Sequence, residues 1–237
     1  MKYKLLIPVA MLLMLGACRN ASSNQQEKTK EVTAAKKQNV IKKHISIPRD
    51  FSYLTNLGSV DIIYTQGNYS IDVEGDSALL EYLETTFDSN LLTVSIRMDS
   101  NTDINFYGNP KSVKMYLSCP DLKCVSICGN GSFVSEATWR AEDLQLGVLG
   151  TGDMKLGRIE CTTFSIQSSD VGAITVRDLQ AEDATIYSRS SAEIEANVNV
   201  ENLTILNDGT QKMKLTGKAT KQLIKNPKDP NLTNKIE

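Results

Sequence analysis

The strongest constraint on how this chain folds is a repeat of about 20 residues in its second half. Copies begin at Leu144, Phe164, Ala184 and Leu203, and Leu122 opens a slightly longer first copy. Two residues after each of the four regular starts stand Leu146, Ile166, Ile186 and Ile205. Ten residues after come Met154, Ile174, Ile194 and Met213, and twelve after come Leu156, Val176, Ala196 and Leu215. Four apolar columns therefore recur in register. Two short stretches of two-residue alternation in each copy bury all four columns at once if every coil lies about 4.8 Å above the last, as in a parallel β-solenoid. The competing arrangement is a repetitive antiparallel sandwich or meander.

Between the alternating runs each copy turns small or polar: Gly150-Thr151-Gly152, Ser169-Asp170-Val171-Gly172, Arg189-Ser190-Ser191-Ala192 and Asp208-Gly209-Thr210. These stretches read as stacked corners in which glycine supplies positive φ and hydroxyls form ladders. Upstream, Val60, Ile62 and Tyr64 alternate with polar neighbours, and so do Tyr69, Ile71 and Val73. Gly67-Asn68 lies between these runs and predicts a hairpin. Ser77 to Phe87 places Leu79, Leu80, Leu83 and Phe87 at helical spacing behind an Asp76 or Ser77 cap. Two more strands are predicted around Leu92–Met98 and Val113–Leu117. The expected fold is all-β: a single-stranded parallel β-helix-like solenoid with an N-terminal antiparallel or hairpin region.

The first residues predict location. Lys2 and Lys4 precede an apolar run from Leu5 to Leu15, and Leu15-Gly16-Ala17-Cys18 closes it with small side chains. That order is a lipoprotein signal peptide over 1–17, with Cys18 the lipidated N-terminus of the mature chain. Eleven apolar residues cover only about half of a ~30 Å hydrocarbon core, so a spanning helix fits poorly. At about 0.8 kcal/mol per buried methylene, two or three acyl chains would hold the chain permanently to a membrane. Residues 18–43 are rich in Asn, Ser, Gln, Lys and Glu and are expected to be a flexible tether with an r.m.s. reach of roughly 25–30 Å. The single folded domain is set at 44–217, with a polar tail from Lys218 to Glu237. Arg19, where a retained inner-membrane lipoprotein commonly has Asp, favours the outer membrane, with the face left open.

A hydrophobic content of 41% supplies one sizeable core, and a net charge of -2 without long blocks of either sign gives no footprint for nucleic acid. Loss of Lys2 and Lys4 with the signal leaves 24 basic against 28 acidic side chains, a mildly acidic mature chain. The one histidine, His44, stands at the edge of the tether, away from any core site for a triad or metal. Gly217-Lys218 lacks the spacing of a phosphate loop, and the Gly-x-Gly pairs lack a third glycine. Cys119, Cys124, Cys128 and Cys161 fit neither a disulfide scaffold nor a zinc pair, and are read as small hydrophobic fillers with a disulfide as the alternative. Glu142-Asp143, Glu182-Asp183 and Glu201-Asn202 recur at one corner, and Glu182 with Glu201 is the nearest approach to a stacked metal site. A solvated corner is the plainer account. Trp139 is expected in the core, and Tyr107 on the surface where it would stack on sugars.

The sequence resembles the family of bacterial lipoproteins described as putative auto-transporter adhesin, head GIN domain. The resemblance runs through most of residues 51–217 and rests on Phe51, Val60-Asp61-Ile62, Gly75-Asp76 with Leu79-Leu80, Leu91-Leu92-Thr93-Val94 and Cys119-Pro120-Asp121-Leu122. The family's Gly-Ser-Gly element stands here as Gly129-Asn130-Gly131-Ser132 and Gly150-Thr151-Gly152-Asp153. The resemblance implies a right-handed β-helix-like fold and an envelope location, and it transfers no catalytic residue.

The expectation is a non-catalytic, lipid-anchored surface that meets a glycan or protein ligand, with no cofactor. One competing reading is a polysaccharide lyase or hydrolase, for which Arg189 beside Tyr187 is the nearest candidate base. The other is a structural protein that self-associates through its solenoid ends. Oligomeric state is left open.

Overall fold

The structure is a computed structural model that describes residues 39–97, 113–189, 191 and 193–237. The signal segment, Cys18, the tether up to residue 38 and Tyr107 lie outside the described residues. In chain order the first elements are β1 (Val40–His44), β2 (Tyr53–Asn56), β3 (Val60–Gln66), β4 (Ser70–Asp76), α1 (Ser77–Leu80), β5 (Leu83–Asp88), β6 (Leu91–Ile96) and β7 (Val113–Cys119). They are followed by β8 (Cys124–Ile127), β9 (Phe133–Ser135), β10 (Trp139–Arg140), β11 (Asp143–Val148), β12 (Met154–Glu160) and β13 (Thr163–Ser168). β14 (Ile174–Ser188), β15 (Ile194–Asn207), β16 (Met213–Ile224) and β17 (Leu232–Ile236) complete the chain.

These strands form a β-solenoid of about six turns with two parallel faces. The first face stacks β6, β2, β8, β11, β13 and the second halves of β14, β15 and β16. The second stacks β7, β3, β9, β12, the first halves of β14 to β16, and β17. Leu146 pairs with Ile166, Ile166 with Ile186 and Ile186 with Ile205, so the first apolar column stands vertically. On the opposite face Met154, Ile174, Ile194 and Met213 pair in the same way. All eight side chains are buried, as period-two alternation requires of inward positions. The first copy is offset by one residue from its expected start, since Val125 rather than Cys124 faces Leu146.

The shortening of the repeat before its last copy has a physical location. Ile174 pairs with Ile194 and Val176 with Ala196, but Leu179 pairs with Val198, and the register shifts between Val176 and Leu179. One extra residue on β14 is absorbed as a β-bulge, which leaves the inward columns aligned on either side.

The N-terminal half departs from the expected hairpin. β3 does not pair with β4. Instead β7 lies between them, parallel to β3 and antiparallel to β4, and Gly67 N donates to Cys119 O at 3.2 Å. The local signal was two alternating runs around Gly-Asn, and it carries no information about a strand that inserts itself from far downstream. β2 pairs with both β6 and β8, and β3 with both β7 and β9, so the coil built first in the chain lies between two coils built later. The helix expected over 77–87 stops at Leu80, although Asp76 caps it by accepting from Ala78 N at 2.9 Å. Thr85, Thr86 and Phe87 favour extended backbone, and β5 forms a true hairpin with β6 around Ser89, whose φ is 52°. The last residues of the segment expected as tether form β1, which pairs with β4. Residues 218–237, expected as a tail, continue β16 and add β17 as the last rung.

The corner glycines are required for a different reason from the one expected. Among the described residues only Gly217 has a positive glycine φ. A Cβ on Gly152 would lie 2.0 Å from Gly131 O, and one on Gly172 2.1 Å from Gly152 O, so coils at this corner touch backbone to backbone. We therefore expect Gly152→Ala to lower stability by about 1–3 kcal/mol in denaturant titration, the range for overpacking. Ser168 offers the contrast, because its Oγ is buried without a hydrogen-bond partner among the described residues. Ser168→Ala should leave the midpoint unchanged or raise it, by up to ~1 kcal/mol. A midpoint lowered as much as in Gly152→Ala would contradict that account.

Candidate functional site: an uncharged sheet face

Residues of the chemical kinds that perform reactions are dispersed over the solenoid. His44 is exposed on β1, with Nδ1 2.9 Å from Asp72 Oδ1, which holds the Asp72 carboxyl below its usual range. Trp139 is in the core as expected: its ring centroid lies 4.8 Å from that of Tyr64, and Nε1 donates to Leu122 O at 3.2 Å. Tyr64 donates to Cys119 O at 3.1 Å, and burial raises its hydroxyl pKa.

Cys119, Cys124, Cys128 and Cys161 are all free thiols. Burial pushes Cys119 up to about 12, and burial with the nearby Asp143 charge pushes Cys161 up to about 11. A raised thiol pKa means the folded chain holds the proton more tightly than the unfolded one. Its contribution to stability is complete below the ordinary value near 9 and is lost as pH rises through 11 and 12. Native protein should accordingly react slowly with a thiol reagent at pH 8, and stability should fall between about pH 9 and 12. Rapid labelling of Cys161 in the native state at pH 8 would contradict this environment.

Glu182 and Glu201 both border an open corner groove of about 480 Å³, together with Glu160, Gln180 and Asn199. Among the described residues no three His, Cys, Asp or Glu side chains gather as a metal site. The adjacent acids are engaged across rungs instead: Thr163 donates to Asp143, and Asn202 Nδ2 donates to Asp183 at 2.7 Å. Arg189 borders a second shallow groove with Asp170 and Asp208, and its guanidinium stands 5.5 Å from the Tyr187 ring centroid. Lys225 Nζ lies 2.8 Å from Asp208, one of the two acids of that groove.

The two outer faces differ sharply in chemistry. On the second, Lys155, Thr175, Glu195 and Lys214 form one outward column, in which Lys214 pairs with Glu195. Arg140 and Arg158 both bind Glu160, at 2.8 and 2.7 Å, and Arg158 also binds Asp178 at 2.7 Å. These cations hold the Glu160 carboxyl below its usual range, Arg158 first. On the first face, Tyr53, Cys124, Gln145, Ser165, Thr185 and Thr204 form one outward column that ends at Leu223. Thr55, Ser126, Gly147, Gln167, Tyr187 and Leu206 form the next. Neither column contains a charge, whereas the third outward column of this face, Asp143, Thr163, Asp183, Asn202 and Lys221, does. At about 4.8 Å per rung the first column, with Leu223, spans about 29 Å and the second about 24 Å. Burial keeps the Cys124 thiol protonated, so it too is neutral.

None of this was singled out from the sequence alone. The signal was present at one and three residues after each repeat start, but an absence of charge acquires meaning only when the two faces are known. The fold and this surface define a class: a β-solenoid that offers sheet faces and shallow corner grooves.

The chain belongs to the family described as putative auto-transporter adhesin, head GIN domain, whose model matches residues 50–178. It is similar in fold to a putative adhesin from Bacteroides fragilis NCTC 9343, at 16% identity and a TM-score of 0.59, over 78% of this chain and 92% of that one. A putative adhesin from Parabacteroides distasonis ATCC 8503 gives 14% identity and a TM-score of 0.56, over 85% of this chain and 97% of that one. A putative lipid binding protein from the same strain gives 18% identity and a TM-score of 0.50, over 84% and 93%. A search of curated proteins found no match. Family membership points to a non-enzymatic adhesion or binding role in a cell-envelope or surface protein.

Proposed function

We propose that the mature chain is a lipid-anchored envelope module in which two adjacent uncharged columns of the first face form a non-catalytic binding surface. The observation that carries this reading is the segregation of charge: ion pairs crowd the second face, while two adjacent outward columns of the first have none. Inward columns determine a solenoid, so outward residues are free to follow function. The family's adhesin description and the adhesin-like folds support a binding role. Cys18, the signal before it and the polar tether after it support attachment by lipid, with Arg19 favouring the outer membrane. No helix among the described residues is long and apolar enough to cross a membrane.

Two measurements test this. Metabolic labelling with a fatty-acid analogue should mark the wild-type chain, and Cys18→Ser should be unlabelled and lost from the membrane fraction; persistent membrane attachment of Cys18→Ser would remove the anchor. For the surface, Gln145→Lys and Thr185→Lys place cations on the first face, and Thr175→Lys places one on the second. Retention of cells that display the protein on host or bacterial surfaces should drop about tenfold or more for the first pair and stay within twofold for the third. Equal retention by all three would remove the first face as the binding surface.

A further inference from the structure

We propose that the ligand of the uncharged face is an uncharged polysaccharide laid along the stack, its repeating hydroxyls meeting successive rungs and one sugar ring resting on Tyr53. This rests on the reading of the first face as the binding surface and adds the chemical class of what it binds.

Four observations converge on that class. The two columns themselves carry no charge, and the cations that phosphates or the carboxylates of an acidic polymer would need stand only at their margins, Arg189 and Lys225 beside Tyr187 and Lys123 beside Tyr53. Its middle is made of Gln145, Ser165, Gln167 and Thr185, side chains that both donate and accept hydrogen bonds, as sugar hydroxyls do. A protein partner ordinarily needs a buried aromatic or aliphatic anchor at the centre of its contact, and here the centre is hydroxyl and amide. Finally, the groups recur at one spacing, about 4.8 Å per rung, so a ligand that itself repeats gains a further contact at each step while a small molecule does not. Both measured grooves lie at the corners, leaving this surface open to an extended chain.

The aromatic contribution is asymmetric. Tyr187 already has the Arg189 guanidinium 5.5 Å from its ring centroid. Tyr53, four rungs away and 43% exposed, presents its ring to solvent. A sugar's apolar C–H face packs on such a ring while its hydroxyls continue along the ladder.

The test is affinity electrophoresis of the mature lipidated chain in detergent through gels containing dextran, mannan, mixed-linkage glucan, galactan or arabinan, with alginate and polygalacturonate as acidic counterparts. At least one neutral polymer should retard the protein, with an apparent affinity that changes less than twofold between 50 and 500 mM NaCl. Tyr53→Ala should weaken that affinity about tenfold and Tyr53→Phe less than threefold, because stacking needs the ring and not its hydroxyl. Gln145→Lys should weaken it comparably, and Thr175→Lys on the other face should behave as wild type. Retardation by the acidic polymers alone, a steep fall with salt, or no retardation by any neutral polymer overturns the proposal. So does a neutral-polymer affinity that Tyr53→Ala and Gln145→Lys leave unchanged. If retention of displaying cells still depends on Gln145 and Thr185 while no polysaccharide binds, the ligand class is wrong and the face stands. If Gln145→Lys and Thr185→Lys leave cell retention intact, the face itself falls.

Discussion

Every coil of this molecule is held by its neighbours through backbone hydrogen bonds between identical positions, and that vertical pairing governs what the sequence can contain. Where coils touch most closely no side chain fits, which is why Gly131, Gly152 and Gly172 succeed one another at one corner. At two corners an inward asparagine adds side-chain hydrogen bonds to the turning backbone. Asn56 accepts from Gly58 N at 3.2 Å and donates to Val60 O at 2.7 Å, and Asn207 accepts from Gly209 N at 3.3 Å and from Gln211 Nε2. These two asparagines occupy the same inward column, each one rung in from an end of the first face, and are linked through Ile127, Val148, Ser168 and Ser188. One geometric problem is thus solved twice with the same residue.

How much of this could be read in advance depends on whether the information was local or periodic. The four apolar columns were legible because a solenoid repeats its own constraint, and a match at a fixed spacing is a statement about contact. Even the shortening of the repeat by a single residue was visible, and the bulge in β14 is its physical form. The N-terminal coils were opaque for the opposite reason. β2 and β3 share rungs with strands that arrive much later in the chain, and a middle coil is laid down before the end coil. Alternation shows that Val60, Ile62 and Tyr64 point one way, but it does not say which strand they meet. The Ser77–Phe87 misreading has the same origin, because Leu83 and Phe87 fit a helix by spacing and a strand by the partner that β6 provides.

The surface was less legible than the core. Charged groups draw the eye, and the conspicuous ones resolved into ordinary pairings: Asp143 with Thr163, Asp183 with Asn202, Glu195 with Lys214. Arg189, the candidate base, lies beside Tyr187, and Asp208, which lines the same corner groove, is held by Lys225. Exposed pairs of this kind contribute little to stability, roughly 0–1 kcal/mol each, so the ion pairs of the second face and the acid–amide and acid–hydroxyl pairs at one margin of the first are better understood as hydrated surface than as a stabilising network. Two adjacent columns of the first face carry no charge, and their neutrality could be noticed only after register placed Gln145, Ser165, Thr185 and Thr204 one above another.

A flat uncharged sheet face is a liability for a protein displayed at a surface, because it invites association with copies of itself. The rest of the molecule counters that risk at its edges. The last rung carries Lys221, Lys225, Lys228 and Lys235 with Pro227 and Pro230 between its two strands, and the other end is covered by antiparallel β4, β5 and β1, with Lys42, Lys43 and His44 outermost. Both ends therefore resist strand addition by charge and by proline. The uncharged stripe itself has not been blunted, although a single lysine at Gln145, Ser165 or Thr185 would do so without disturbing any inward column. Its composition of hydroxyls and amides keeps it wet enough to stay soluble and leaves it free to exchange water for a hydroxyl-rich chain, which is the balance a reversible adhesive surface requires.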